Sequence, residues 1–181
     1  ISRHQDWLTR HNQLISRSKE DFIQHCKAKY GLPLPLWIVA EVWDFGTMST
    51  LFSGMREADQ DAISAKYGIS NGRTFASWLR SLNYLRNVCA HHSRLWNRNI
   101  IDQPKLPPVG EVPWVAPFVG NAHALARCYL LLCITRHLLR TVNPRSTWPQ
   151  RMKQHLQQFP QLSHLGLNDA GMGTHPGWDT A

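Results

Sequence analysis

A chain of 181 residues is long enough for one well-packed domain and short for two. Its 20 lysines and arginines against 12 acids leave a formal net charge of +8, which suits a polyanionic partner, nucleic acid ahead of an anionic membrane surface. No apolar run reaches the roughly 20 residues that span a bilayer, and no secretory leader is visible, so membrane association is not expected. Fourteen of the basic residues are arginine, a bias toward bidentate contact over diffuse attraction. The four cysteines (Cys26, Cys89, Cys128, Cys133) show neither a C-x-x-C pair nor zinc spacing. A reducing, cytoplasmic setting is the expectation, with no cofactor and no metal. The start at Ile1 rather than Met reads as that of a fragment or processed product.

The elements read as helices throughout. A weakly amphipathic first segment runs over Gln5–Ile15. A second opens at Ser18, with Asp21 three places on in the manner of a capping box, and reaches Tyr30 before Gly31. A third starts at Pro35 and carries Leu36, Trp37, Val39, Ala40, Val42 and Trp43 up to Gly46. Apolar on most sides, it is expected at the centre of the core. Thr47–Met55 and Glu57–Tyr67 follow as shorter helices.

A long helix from Asn71 or Thr74 through His91 shows close 3–4 spacing of Phe75, Trp78, Leu79, Leu82, Leu85, Val88 and Cys89. Prolines 104, 107, 108, 113 and 117 mark residues 103–120 as a long loop. Ala122–Val142 reads as one helix, Trp148–Phe159 as a short last one, and residues 160–181 as a flexible tail. The expected architecture is all-α: one helical domain over 1–181.

The run Arg86-Asn87-Val88-Cys89-Ala90-His91-His92-Ser93-Arg94-Leu95-Trp96-Asn97-Arg98 carries the chemistry. An arginine holds a phosphate through a planar fork of donors, and an imidazole moves a proton near neutral pH. On an ideal wheel Trp78, Leu82, Leu85 and Cys89 centre one face. Arg73, Ser77, Arg80, Tyr84, Asn87, His91 and Arg94 lie opposite. Asn87 and His91 are neighbours at i,i+4. Arg86 lies about 140° from His91, so the two do not stack directly. A deformed helix, the reach of Arg86, or a second copy of the helix would bring them together.

These groups suit transesterification, in which a ribose 2′-hydroxyl attacks the adjacent phosphorus. His91 is the candidate base or acid, Arg86 the phosphate clamp and Asn87 the orienting residue. His92, Arg94, Tyr84 and Arg98 form a supporting tier for substrate binding. Blander readings stand beside this one. Arg86 could pair with Glu41 or Asp44, His92 could be a surface or capping residue, and Trp96 reads as a packing anchor. A metal at Cys89, His91 and His92 or a Cys89 thiol nucleophile is weaker still, since Cys89 falls on the core face.

The segment Leu85–Arg98 resembles the signature of the Abi-like (abortive infection) proteins of the HEPN superfamily, whose hallmark Arg, polar residue and His would here be Arg86, Asn87 and His91. Leu34–Ser49 is similar to the family's second characteristic segment, and Ser77-Trp78-Leu79 before the motif and Met172-Gly173 followed by Pro176 and Trp178 also match its layout. The resemblance covers roughly residues 15–178. It implies a HEPN-like helical bundle, N-terminally short relative to the family. It further implies a homodimer with a composite active site and a metal-independent RNA endonuclease acting as a toxin in phage defence, with RNA as substrate and an antidote protein or RNA as partner. The alternative is a non-catalytic helical dimer that binds RNA or a partner protein.

Overall fold

The computed structural model describes residues 2–179, apart from the side chain of Ser163, and is all-α as expected. Among the described residues there are nine α-helices and short 3₁₀ segments, no β-strand, and one isolated bridge between Leu162 and Leu167. No described helix is long and apolar enough to cross a membrane. Where the length suggests one domain, the chain divides into two compact units, Ile1–Arg56 and Glu57–Ala181.

The first unit holds α1 (Arg3–Arg17), α2 (Asp21–Tyr30), α3 (Leu36–Val39), a 3₁₀ turn at Ala40–Val42, and α4 (Phe45–Gly54). The capping box lies one helix earlier than the spacing suggests. Ser2 Oγ accepts from the Gln5 amide and Gln5 Oε1 from the Ser2 amide, at 3.2 and 3.1 Å, so α1 starts before Gln5. Ser18 is the C-cap of α1, and Glu20 precedes α2 without a side-chain bond.

The single core helix expected over Pro35–Gly46 is broken. Trp43 is extended, and Asp44 accepts the Thr47 amide at 2.7 Å to start a new helix, α4. Burial alone would raise the pKa of Asp44. The Thr47 hydrogen bonds and the charges of Arg10 and Arg17 outweigh it and hold the carboxyl below its usual value. Leu36 and Trp37 are exposed rather than central, whereas Val39 joins Ile15, Ile23 and Leu34 in the core of this unit.

The second unit is built on α6 (Gly72–Ala90), flanked by α5 (Glu57–Ala65) and α8 (Cys128–Val142). Asn71 Oδ1 caps α6 by accepting from Thr74 N–H at 3.0 Å, and Asp61 Oδ1 accepts the Gly72 amide at 2.7 Å. Gly72 is obligatory for this approach: a Cβ there would stand 2.4 Å from that of Gln60. Trp78, Ile69, Ile100, Phe118, Leu130, Leu131 and Ile134 fill the core.

The proline-rich stretch is less loop-like than expected. Residues Pro113–Phe118 form a 3₁₀ helix that buries Val115 and Phe118. The one helix expected over Ala122–Val142 is two, α7 (Ala122–Leu125) and α8, with Arg127 extended between them. After α9 (Trp148–Gln157), residues expected as a flexible tail fold back. Met172 is buried, and Gly171 packs so closely on Trp96 that a Cβ would meet the indole at 2.7 Å.

Candidate active site

The face of α6 that enters the core is rotated from the one the apolar residues suggest. Thr74, Ser77, Trp78, Ser81 and Val88 are buried, while Cys89 is exposed. The serines compensate their burial with hydrogen bonds. Ser77 Oγ donates to the Thr74 carbonyl at 2.6 Å and accepts the Lys105 amide at 2.9 Å. Ser81 Oγ donates to the carbonyls of Ser77 and Asp102. With Trp78 Nε1 donating to the Lys105 carbonyl at 2.8 Å, these bonds fasten residues 102–105 along α6. Ser77 therefore leaves the solvent stripe in which spacing placed it, and Cys89 leaves the core face.

The other end of α6 carries the motif and ends within it. The last helical residue is Ala90, and His91 is the C-cap, its amide donating to the Asn87 carbonyl at 3.0 Å. His92 then adopts φ 50°, the one left-handed non-glycine residue among those described. Its amide bonds the Cys89 carbonyl at 3.1 Å and the Ser93 amide bonds Val88 at 3.0 Å. This is the Schellman pairing of a helix C-terminus, with histidine where glycine usually sits. The helix terminus carries partial negative charge, which favours the guanidinium of Arg94 just beyond it.

Asn87 joins the other two members of the trio. Its side-chain oxygen accepts from Arg86 Nη1 at 3.0 Å, and its carbonyl holds the His91 amide. Arg86 and His91 are exposed and Asn87 half-buried. The helix is regular from Arg86 to Ala90, so the angular offset between Arg86 and His91 remains. Asp44, one of the acids offered as a partner for Arg86, has its Oδ1 engaged in capping α4.

In the supporting tier, Arg98 Nε donates to Tyr84 Oη at 2.8 Å and its guanidinium lies 6.0 Å from that ring's centre. Arg94 is exposed. Trp96 is the packing anchor its sequence position implies: Nε1 donates to the Asn168 carbonyl at 2.7 Å and the ring stacks on Phe159. Among the described residues no three His, Cys, Asp or Glu side chains converge as a metal ion would need. The cysteines of α8 are inert by burial, which pushes Cys128 and Cys133 up to about 11.

Arg127, passed over by sequence reasoning, lies against Asn99, just past the motif. Its Nη1 donates to Asn99 Oδ1, while its buried Nε and the buried Asn97 Oδ1 have no hydrogen-bond partner. An arginine before an apolar helix carries no periodic signal that would single it out.

Residues 1–97 match the model of a family described as Abi-like protein, a span that ends inside the Arg86–Arg98 run. No curated protein and no solved structure matches the chain.

Proposed function

Because the chain belongs to the Abi-like protein family, we propose that it is a metal-independent RNA endonuclease of the HEPN kind that acts in abortive infection. The observation that carries this reading is the end of α6. Arg86 and Asn87 are joined by a side-chain hydrogen bond, and His91 follows on the same open helix end, one residue before the left-handed turn at His92. Left-handed non-glycine residues are uncommon, and strain of this sort concentrates at functional sites.

In the proposed reaction a 2′-hydroxyl oxygen forms a bond to the adjacent phosphorus as the bond from phosphorus to the 5′ oxygen breaks. The products are a 2′,3′-cyclic phosphate and a 5′-hydroxyl. One imidazole takes the proton from the 2′-hydroxyl, and a protonated one gives a proton to the leaving 5′ oxygen. Arg86 neutralises charge on the phosphorane, and Asn87 holds Arg86 in place. One chain supplies one His91, so a two-fold dimer that apposes two helix ends would supply both acid and base.

The test is incubation of the protein with total cellular RNA in the presence of a chelator. Cleavage should fall about 10²–10⁴-fold for His91→Ala, as expected for loss of a general acid or base, and markedly for Arg86→Ala, with the circular dichroism unchanged. Undiminished cleavage by both variants sinks the proposal. RNA binding without products would favour the non-catalytic alternative.

A further inference from the structure

A cleft of about 400 Å³ runs along α8 and α9, within the size range of ligand sites, and none of its lining residues is acidic. One face of α8 supplies Tyr129, Cys133, Arg136 and Arg140, at the 4-, 3- and 4-residue steps that align side chains along a helix. From α9 come Trp148, Met152 and Lys153. Trp178 closes one end. Its ring meets Tyr129 edge-on at 5.8 Å and its Nε1 donates to Asp169 Oδ2 at 2.7 Å, which fixes its orientation.

Arg136 and Arg140 are exposed and Lys153 half-buried, and none forms an ion pair among the described residues. Three uncommitted cations beside indole and phenol rings form an unusual lining. A purely apolar groove would take a helix, and a purely cationic one a bare anion. This lining suits an occupant with flat aromatic faces and repeated negative charge. Arg136 and Arg140 are one turn apart, about 6 Å along the axis, a spacing that lets them engage neighbouring phosphates of one strand.

We infer that the cleft between α8 and α9 binds single-stranded RNA, stacking a base on Trp148 and holding the flanking phosphates on Arg136, Arg140 and Lys153. The pattern is that of single-strand sites in general, in which a cationic track follows the backbone and aromatic rings accept bases of any sequence. The choice of RNA as the polyanion rests on the ribonuclease reading. The cleft would hold the substrate strand at a place separate from the residues that cut it.

The test measures fluorescence anisotropy of a labelled oligouridine on the full chain carrying His91→Ala, across a range of salt concentrations. Arg136→Gln with Arg140→Gln should raise Kd about ten-fold or more. It should also reduce the slope of log affinity against log salt by about 1.4, the loss of two phosphate contacts. Trp148→Leu should raise Kd about five-fold or more with the slope unchanged, and Trp148→Phe should restore most of the affinity.

An arginine pair variant whose Kd stays within about two-fold of its parent overturns the inference, since both residues are exposed and their substitution is expected to leave the fold intact. Equal affinity for uridine monophosphate, or binding to phosphatidylglycerol vesicles in place of the oligonucleotide, overturns it too. The two proposals fail separately. A chain that binds the oligonucleotide through this cleft but cuts no RNA refutes the nuclease alone. A chain that cuts RNA, with the cleft variants binding like their parent, refutes the cleft alone.

Discussion

The two halves of α6 are made of one continuous helix and follow opposite rules. Toward its start, the buried serines are hydrogen-bonded: Asn71 caps, Gly72 lets α5 approach, and Ser77 and Ser81 tie down residues 102–105. Toward its end, Arg86, His91, His92 and Arg94 face solvent, and the helix stops in a left-handed histidine. The histidines make the same contrast. His137 packs edge-on against Trp78 at 5.6 Å, accepts from Trp114 Nε1 at 3.2 Å and donates from Nε2 to the Tyr67 carbonyl at 2.6 Å. It is a structural imidazole, whereas His91 is presented. One helix thus packs at one end and presents charged and imidazole side chains to solvent at the other.

Breaking the buried half should produce the largest effect. Trp78→Ala is expected to cost about 3–5 kcal/mol, read by urea denaturation, and to abolish all function through unfolding. His91→Ala should leave the unfolding free energy within about 0.5 kcal/mol of wild type while removing cleavage. If His91→Ala proved as destabilising as Trp78→Ala, the contrast between the two halves would be wrong.

Gly72→Ala comes next. It sets a Cβ against the backbone and Cβ of Gln60 and should destabilise by about 1–3 kcal/mol. A neutral result would mean that α5 and α6 are less closely apposed than described.

At the exposed end the sign reverses. His92→Gly relieves a left-handed L-residue and should stabilise by about 1 kcal/mol. For a chain of this size that raises Tm by about 2–4 °C. A higher Tm with reduced RNA cleavage would show that the His92 side chain serves the substrate. A higher Tm with full cleavage would leave it the turn alone.

The smallest effect concerns pH. Burial lowers the pKa of His137, and the Arg140 charge adds to this, while the bond to Tyr67 opposes it. Burial lowers that of His11 as well. The unfolded chain then binds protons that the native one refuses, so stability is complete above the ordinary histidine pKa near 6.5 and declines as pH falls below it. Tm should drop modestly from pH 7 to pH 5, and His137→Gln should flatten that drop. A Tm that rises on acidification would contradict the lowered pKa of His137.

Much of this was legible in the residues. The 3–4 spacing from Phe75 to Val88 identifies α6, because burial of one helical face leaves that period in any sequence. Asn71 and Gly72 mark its start. The Arg86–Arg98 run stands out because arginine, asparagine and histidine have no reason to crowd a helix end for packing. Less legible was which side of α6 is buried. Ser77 and Ser81 lie inward because residues 102–105 bring amides and carbonyls to meet them, and no local pattern encodes a partner some 20 to 30 positions away.

The expected core helix at Pro35–Gly46 failed for a related reason. Its composition is apolar, but Asp44 competes for the backbone and begins α4, leaving Leu36 and Trp37 exposed. The tail, glycine-rich and unpatterned, is ordered by Trp96, whose indole needs glycine opposite it and a carbonyl acceptor from Asn168.

The sequence by itself determined the all-α class and the helix that carries the motif, and it singled out Arg86, Asn87 and His91 as candidates. Periodicity, capping residues and side-chain chemistry are local properties. Only the tertiary structure decided that the helix ends at Ala90 in a turn through His92, that Cys89 faces out while Ser77 faces in, and that Arg136, Arg140 and Trp148 share a cleft. Those outcomes depend on which distant groups arrive to satisfy buried donors and fill space, which is settled by packing and not by sequence spacing.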